Sequence, residues 1–371
     1  MPLPAPSYDV LAAARAFALP AEPESYTRWG SGHINDTFAV TLRGGRRVLL
    51  QRINTDVFRD PKGVMANVGR VTRHLREKLA GTPDAGRRAL TLVPARDGAD
   101  FTRDDAGRCF RAYEFIDGAR SVDVLESTRQ AYEAAKAFAT FQRLLADLPG
   151  PRLVETIPRF HDTRKRFETL ETAVARDPRN RAVTAAPEIA FARSREPLAD
   201  ALLRPLAEGT LVERPTHNDT KLNNVLFDEA EGKGLCVVDL DTVMPGLFLY
   251  DFGDMVRSAV SPSAEDERDL SKVEASEPVF EALVRGTVEG LGDGLPPADR
   301  ERLVLAGQVI TFEIGIRFLT DHLDGDVYFK IHREGHNLDR ARTQFALVRS
   351  LEEKEERLQR IVEGTAASRP R

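Results

Sequence analysis

Cysteine is scarce: two residues in 371, Cys109 and Cys236, far apart and each inside a strand-like run. Both are read as free thiols of a reducing cytoplasm, which excludes a disulfide-stapled scaffold. Uninterrupted apolar sequence is also short, and no run reaches the roughly 18 to 20 residues of a membrane span. The opening Met1-Pro-Leu-Pro-Ala-Pro6 lacks a basic segment followed by an apolar core, so no secretory signal is expected. There is no surplus of positive charge either. The 53 basic residues face 58 acidic ones, a net of −5, which excludes a sequence-independent nucleic-acid binder while leaving room for a local basic pocket. No G-x-x-x-x-G-K-[ST] string occurs, so the chain is not a P-loop enzyme. What remains is ordinary for a soluble globular protein: 42% hydrophobic and 30% charged residues. The length predicts two domains.

Along the chain, short extended runs come first. Thr37 to Leu42, a Gly44-Gly45 turn and Arg47 to Ile53 predict a β-hairpin. Pro61 opens a helix with Val64, Val68, Val71 and Leu75 at helical spacing, through about Leu79. Thr91 to Ala95 and Cys109 to Ile116 read as two more strands, pairing across the turn Asp104 to Gly107. Beyond Asp117-Gly118 helices dominate: Ser127 to Leu148, Asp162 to Ala175, Glu188 to Leu206, Ala298 to Leu323 and Leu338 to Val362. Two short apolar runs, Asn224 to Phe227 and Leu235 to Leu240, interrupt them. The expected organisation is α+β and bilobal, a small antiparallel-sheet lobe at residues 1–116 and a larger, mostly helical lobe at 117–371.

The chemistry is concentrated in His217-Asn-Asp-Thr-Lys-Leu-Asn-Asn224, with Asp239 fifteen residues further on in Val237-Val-Asp-Leu-Asp-Thr242. An Asp in a tight polar loop can accept a hydrogen bond from an attacking hydroxyl. An Asn five positions later can turn its carbonyl oxygen to a metal, and an Asp after the next strand can add carboxylate oxygen. Such a set suits Mg²⁺, which takes one or two carboxylates together with substrate phosphates and waters. Phosphoryl transfer asks for positioning and charge neutralisation more than for covalent help.

This spacing resembles the catalytic and metal-binding loops of the aminoglycoside phosphotransferase and choline kinase superfamily, itself protein-kinase-like. The strings HNDTKLNNVLFD, VVDLDTVMPGLFLYDFGDMVR, WGSGHINDTF, LLQRIN and FEIGIRFLTDHLDGDVYF look like a narrower group, the N-acetylhexosamine 1-kinases, over about residues 25 to 350. The resemblance implies an ATP- and Mg²⁺-dependent kinase with a small-molecule sugar acceptor, working in the cytoplasm in the cleft of a bilobal fold, without nucleic-acid or membrane partners. Asp219 would orient the sugar hydroxyl and accept its proton, with Lys221 beside it. Asn224 and Asp239 would hold Mg²⁺, joined by Asp241 as a second carboxylate, while His217 would brace the loop. Gly30, Ser31 and Gly32 would cover the triphosphate. The third strand lacks the usual phosphate-binding Lys, and Arg52 is the nearest replacement. Tyr113, Glu114 and Phe115 would form the adenine-contacting hinge. His33, Asn35, Arg317 and Tyr328 would face the sugar. Asp251-Phe-Gly253 spells the D-F-G of protein kinases but lies 27 residues after Asn224, about twice the expected gap, so Asp251 is expected to cap the helix beginning near Asp254.

Overall fold

The computed structural model describes residues 6–30 and 34–367. These form two compact units. The first draws on 1–123, 147–158 and 226–244, and the second on 124–146, 159–225 and 245–371. Spatial compactness therefore does not divide the chain at a single point.

Following the chain, the first unit contains α1 (Val10–Arg15), β1 (Pro23–Arg28), β2 (Asp36–Leu42), β3 (Arg47–Ile53), α2 (Pro61–Leu79), α3 (Ala85–Arg88), β4 (Leu92–Val93), β5 (Thr102–Arg103), β6 (Cys109–Glu114) and β7 (Ala119–Arg120). Its sheet runs β1-β2-β3-β6-β4, with β5 also paired to β6. The predicted hairpin is present, Thr41 opposite Arg47 and Asp36 opposite Arg52, closed by Gly44 and Gly45 at φ 91° and 86°, where a side chain would be strained. The expected pairing of 91–95 with 109–116 forms as β4 against β6, Val93 opposite Ala112, while the tight turn Asp104 to Gly107 joins β6 to a short strand that was not expected, β5. Helix α2 begins as its sequence dictates: Asp60 accepts from the Gly63 N–H and Pro61 takes the first turn.

Strand alternation sorts this sheet into two faces. Phe38, Val40, Leu42, Val48, Leu50, Phe110 and Ala112 lie on one, buried with Val10, Ala14 and Phe17 from the segment of α1. Residues of odd number in β3 and β6, including Gln51, Arg111 and Tyr113, lie on the other. Arg52 stands opposite Phe110, and Gln51 opposite Arg111.

The second unit begins with α4 (Thr128–Leu145), α5 (Thr163–Arg176), α6 (Ala186–Ser194), α7 (Leu203–Ala207) and β8 (Arg214–Thr216). Strands β9 (Val225–Asp228) and β10 (Gly234–Val237) belong almost entirely to the first unit, where β9 pairs with β7. After β11 (Met244–Gly246) come α8 (Phe248–Ala259), α9 (Glu277–Leu291), α10 (Pro297–Arg300), α11 (Leu303–Asp324), α12 (His336–Glu353) and α13 (Glu355–Ala367). Ser127 and Asp162 cap α4 and α5 with their side chains. The single helix expected over Glu188 to Leu206 is broken, since Pro197 and Pro205 each remove a backbone donor. The expected 338–362 helix likewise breaks at Lys354.

Helices α4 and α9 pack closely because Gly286 and Gly290 present no side chain. A Cβ on either would meet a backbone carbonyl of α4 at 2.2 or 2.5 Å. Helix α11 corrects one expectation: by length and hydropathy it qualifies as a membrane span. Its apolar window is nonetheless 83% buried, so its all-round hydrophobicity is that of a core helix.

Candidate active site

The second unit holds residues 217–224 in one rigid loop. Asp251, buried in the first turn of α8, accepts from the backbone N–H of His217 at 3.0 Å and of Asn218 at 2.6 Å, and from the Gln142 side-chain amide. The Thr220 hydroxyl donates to the Asp251 carbonyl at 2.6 Å. This corrects the capping role expected for Asp251. Helix α8 already begins at Phe248, leaving the carboxylate to face the loop. Burial pushes the Asp251 carboxyl up, against the pull of His217 and its amide donors. His217 is fully buried, its ring edge-on to Phe138 and Phe141 of α4, and its Nδ1 accepts from the Asp219 N–H at 3.3 Å. A bracing role follows from that packing.

Asp219 projects from this frame. Its Oδ1 is 3.0 Å from Lys221 Nζ, and its Oδ2 accepts from Asn224 Nδ2 at 3.2 Å. The same amide nitrogen donates to the Asp219 carbonyl at 2.8 Å, which leaves the Asn224 carbonyl oxygen outside these bonds. Burial would raise the Asp219 carboxyl, but Lys221, with His217 and Arg257 behind it, holds it below the usual carboxylate range. The result is an ionised carboxylate with a fixed direction.

In the first unit, Asp239 sits just beyond β10 in the left-handed region, at φ 58° and ψ 61°. Asp241 is 1% exposed, and both of its oxygens are engaged. Oδ1 is ion-paired with Arg111, and Oδ2 accepts from Asn35 Nδ2 at 2.7 Å. Asn35 in turn accepts from the Asn54 N–H at 2.9 Å. In this structure Asp241 and Asn35 cross-brace the first unit. Among the described residues no group of three or more His, Cys, Asp or Glu is set to hold a metal. Asn224 in the second unit and Asp239 in the first each offer oxygen, the donor type that a hard cation such as Mg²⁺ takes.

Arg52 does not occupy the expected place. The pleat turns it to the α1 face, where its Nε donates to Asp36 at 2.7 Å beside Tyr8 and Arg28. The cation on the Asp241 face is Arg111, wholly buried, with Gln51 accepting from its Nε at 2.9 Å. The sequence carried a signal for it, a lone Arg inside the apolar run Cys109 to Tyr113. Arg111 Nη2 and the Tyr113 hydroxyl are both buried without a hydrogen-bond partner among the described residues. The Tyr113 ring is buried, and the Glu114 N–H is already given to the Thr91 carbonyl at 2.9 Å. Phe115 packs edge-on to Trp29, with the Arg47 guanidinium 3.8 Å from its ring centre. Gly30 has φ 76° and open space around it. Ser31, Gly32 and His33 lie outside the described residues.

Arg317 and Tyr328 do come together in the second unit. The Arg317 guanidinium faces the rings of Phe160, Tyr328 and Phe329 at 5.4, 5.9 and 5.5 Å. Asp321 shapes this cluster without joining it, accepting the backbone N–H groups of Val327, Tyr328 and Phe329 at 2.8 to 2.9 Å.

The sequence profile of the APH phosphotransferase enzyme family matches residues 25–283, well over half of the chain. The chain belongs to this family. Solved structures share its protein-kinase-like fold. A microcompartment-associated aminopropanol kinase is 18% identical with a TM-score of 0.60, covering 94% of this chain and 97% of its own. An amicoumacin kinase in complex with AMP-PNP and Ca²⁺ is 15% identical with a TM-score of 0.58, covering 91% and 92%. A choline/ethanolamine kinase family protein from Mesorhizobium loti is 19% identical with a TM-score of 0.55, covering 95% and 98%. The family match makes the protein a phosphotransferase.

Proposed function

We propose that this phosphotransferase moves the γ-phosphoryl group of ATP to the anomeric hydroxyl of an N-acetylhexosamine, N-acetylglucosamine or N-acetylgalactosamine, giving the sugar 1-phosphate and ADP. The observation that carries the reading is Asp219, an ionised carboxylate held between Lys221 and Asn224 in a loop anchored by Asp251. It accepts a hydrogen bond from the acceptor hydroxyl, turns the oxygen toward phosphorus and takes the proton late in transfer. Lys221 keeps it ionised. Asn224 and Asp239 are the proposed holders of Mg²⁺, which when bound neutralises phosphate charge. The unpartnered donors Arg111 Nη2 and Tyr113 Oη support a ligand rich in acceptor oxygens on the Asp239 side of the first unit.

The acceptor class rests on Arg317. Aromatic faces suited to a quaternary ammonium are present in Phe160, Tyr328 and Phe329, but a guanidinium already faces them. A second cation there would be repelled, whereas a sugar would find stacking faces and hydrogen-bond donors. The alternatives are an aminoglycoside, a choline-like amine or another sugar as acceptor, and a nucleotide-binding protein without transfer activity. ADP release measured over a panel of sugars, amines and aminoglycosides separates them. The expected result is turnover with the two N-acetylhexosamines. In that assay Asp219→Asn is expected to lower kcat by about 10³-fold or more with nucleotide affinity nearly unchanged. Undiminished sugar 1-phosphate formation by Asp219→Asn would sink the assignment.

A further inference from the structure

We propose that His161 is a positioning residue for the transfer step: its imidazole, anchored by Glu313, holds the Asn218 carbonyl and thereby sets the direction in which Asp219 presents its carboxylate. The proposal rests on the reading of Asp219 as the base.

His161 lies just before α5, buried, and its two ring nitrogens meet two acceptors. Nδ1 is 2.8 Å from Glu313 Oε1, and Nε2 is 3.2 Å from the Asn218 carbonyl oxygen. A carbonyl oxygen only accepts, so Nε2 carries a hydrogen. On the other side of the ring, Nδ1 is held against the Glu313 carboxylate. Glu313 is completely buried, which alone would raise its carboxyl. His161 first, then Arg317 and the Thr163 hydroxyl at 2.6 Å, hold it below the usual range. The ring plane is fixed as well, by Tyr250 at 4.8 Å and the edge of Phe160 at 4.7 Å.

The geometry at Asn218 explains why such a brace is needed. Its φ of 66° is a left-handed conformation that a side-chain-bearing residue keeps only when its surroundings enforce it. Here the residue is clamped at both ends: its N–H is given to Asp251 of α8 at 2.6 Å, and its carbonyl is held by His161, backed by Glu313 of α11. The next residue is Asp219. Glu313 also stands one helical turn before Arg317 and acts on it electrostatically, so the acceptor cluster and the catalytic loop share one buried carboxylate.

The test is steady-state kinetics of the full-length chain, reading ADP release with N-acetylglucosamine and ATP each varied, for His161→Phe, His161→Gln and His161→Asn beside Asp219→Asn. His161→Phe is expected to lower kcat about 10- to 100-fold, the scale of a small displacement of a reacting group, with the KM for ATP within about twofold. His161→Gln, which keeps an N–H donor long enough to reach the Asn218 carbonyl, is expected to recover most of that loss, and the shorter Asn is not. Circular dichroism and thermal melts establish that each variant is folded at the assay temperature. A folded His161→Phe with wild-type kcat overturns the proposal. Should His161→Phe fail to fold, equal kcat for the Gln and Asn variants overturns it instead. Full activity in Asp219→Asn brings down the base assignment itself, whereas a dead Asp219→Asn beside fully active His161 variants brings down only the brace.

Discussion

Residues 217–224 of the second unit carry their charged groups in one short stretch, whereas in the first unit Asn35, Arg111 and Asp241 meet from positions as much as 206 residues apart. The loop needs local spacing because an Asp, a Lys two residues on and an Asn five residues on can reach one another within a single turn of chain. The sheet needs a register. Whether a side chain on β3 meets Asp36, as Arg52 does, or Arg111, as Gln51 does, depends on the pleat, and one step along the strand exchanges the two faces. A local motif thus keeps its meaning when read as text, and a strand residue acquires its meaning only from the strand beside it.

Breaking two arginine pairs of the first unit, one on each face of its sheet, probes that difference most strongly. Arg111→Met leaves Asp241 buried without its cation, and a loss of about 3–5 kcal/mol in unfolding free energy is expected by denaturant titration. Arg52→Met removes a pair in which Arg52 is 30% exposed and Asp36 25%, so the expected loss is about 1 kcal/mol or less. ATP affinity is expected to weaken more in Arg111→Met. The reverse order would return the phosphate role to Arg52.

An intermediate effect is expected in the loop. Lys221→Met removes the cation that holds the Asp219 carboxyl down, so its pKa rises and the base form is lost at a higher pH. The acidic limb of the kcat profile is expected to move to higher pH, with kcat lower by about tenfold. An unmoved limb would mean that Lys221 acts elsewhere.

The smallest effect concerns Asp36. Burial works to raise its carboxyl, but Arg52, Tyr8 and Arg28 together hold it below the usual 3.8. A depressed folded pKa contributes stability above the unfolded value, lost as pH falls below about 3.8 toward the folded one. In Asp36→Asn, the stability difference from wild type is expected to be constant above that window and to shrink within it. A difference independent of pH down to the lowest folded pH would show that the pair contributes nothing ionic.

Much of the scaffold was legible from local signals. Pro61 marked the start of α2, Gly44-Gly45 marked the hairpin turn, and Ser127 and Asp162 marked the starts of α4 and α5. Each is a short-range rule of backbone geometry and orphaned N–H groups. Legibility failed where a role depends on a distant partner. Asp251 read as a cap because nothing nearby in sequence shows that the N–H groups of 217 and 218 come to it. Arg111 sat in a strand that was read only for the hinge at its end, and His161 and Glu313, 152 residues apart, gave no joint signal.

The sequence by itself determined the phosphotransferase family and the grouping of Asp219, Lys221 and Asn224, because those three residues reach one another through chain-local geometry. Only the tertiary structure decided which cation faces Asp241, which carboxylate holds the loop and which imidazole completes the clamp on Asn218. Those choices follow from strand pleat, helix packing and burial, where an unpaired charge or donor is too costly to leave and each group must find its partner across the fold.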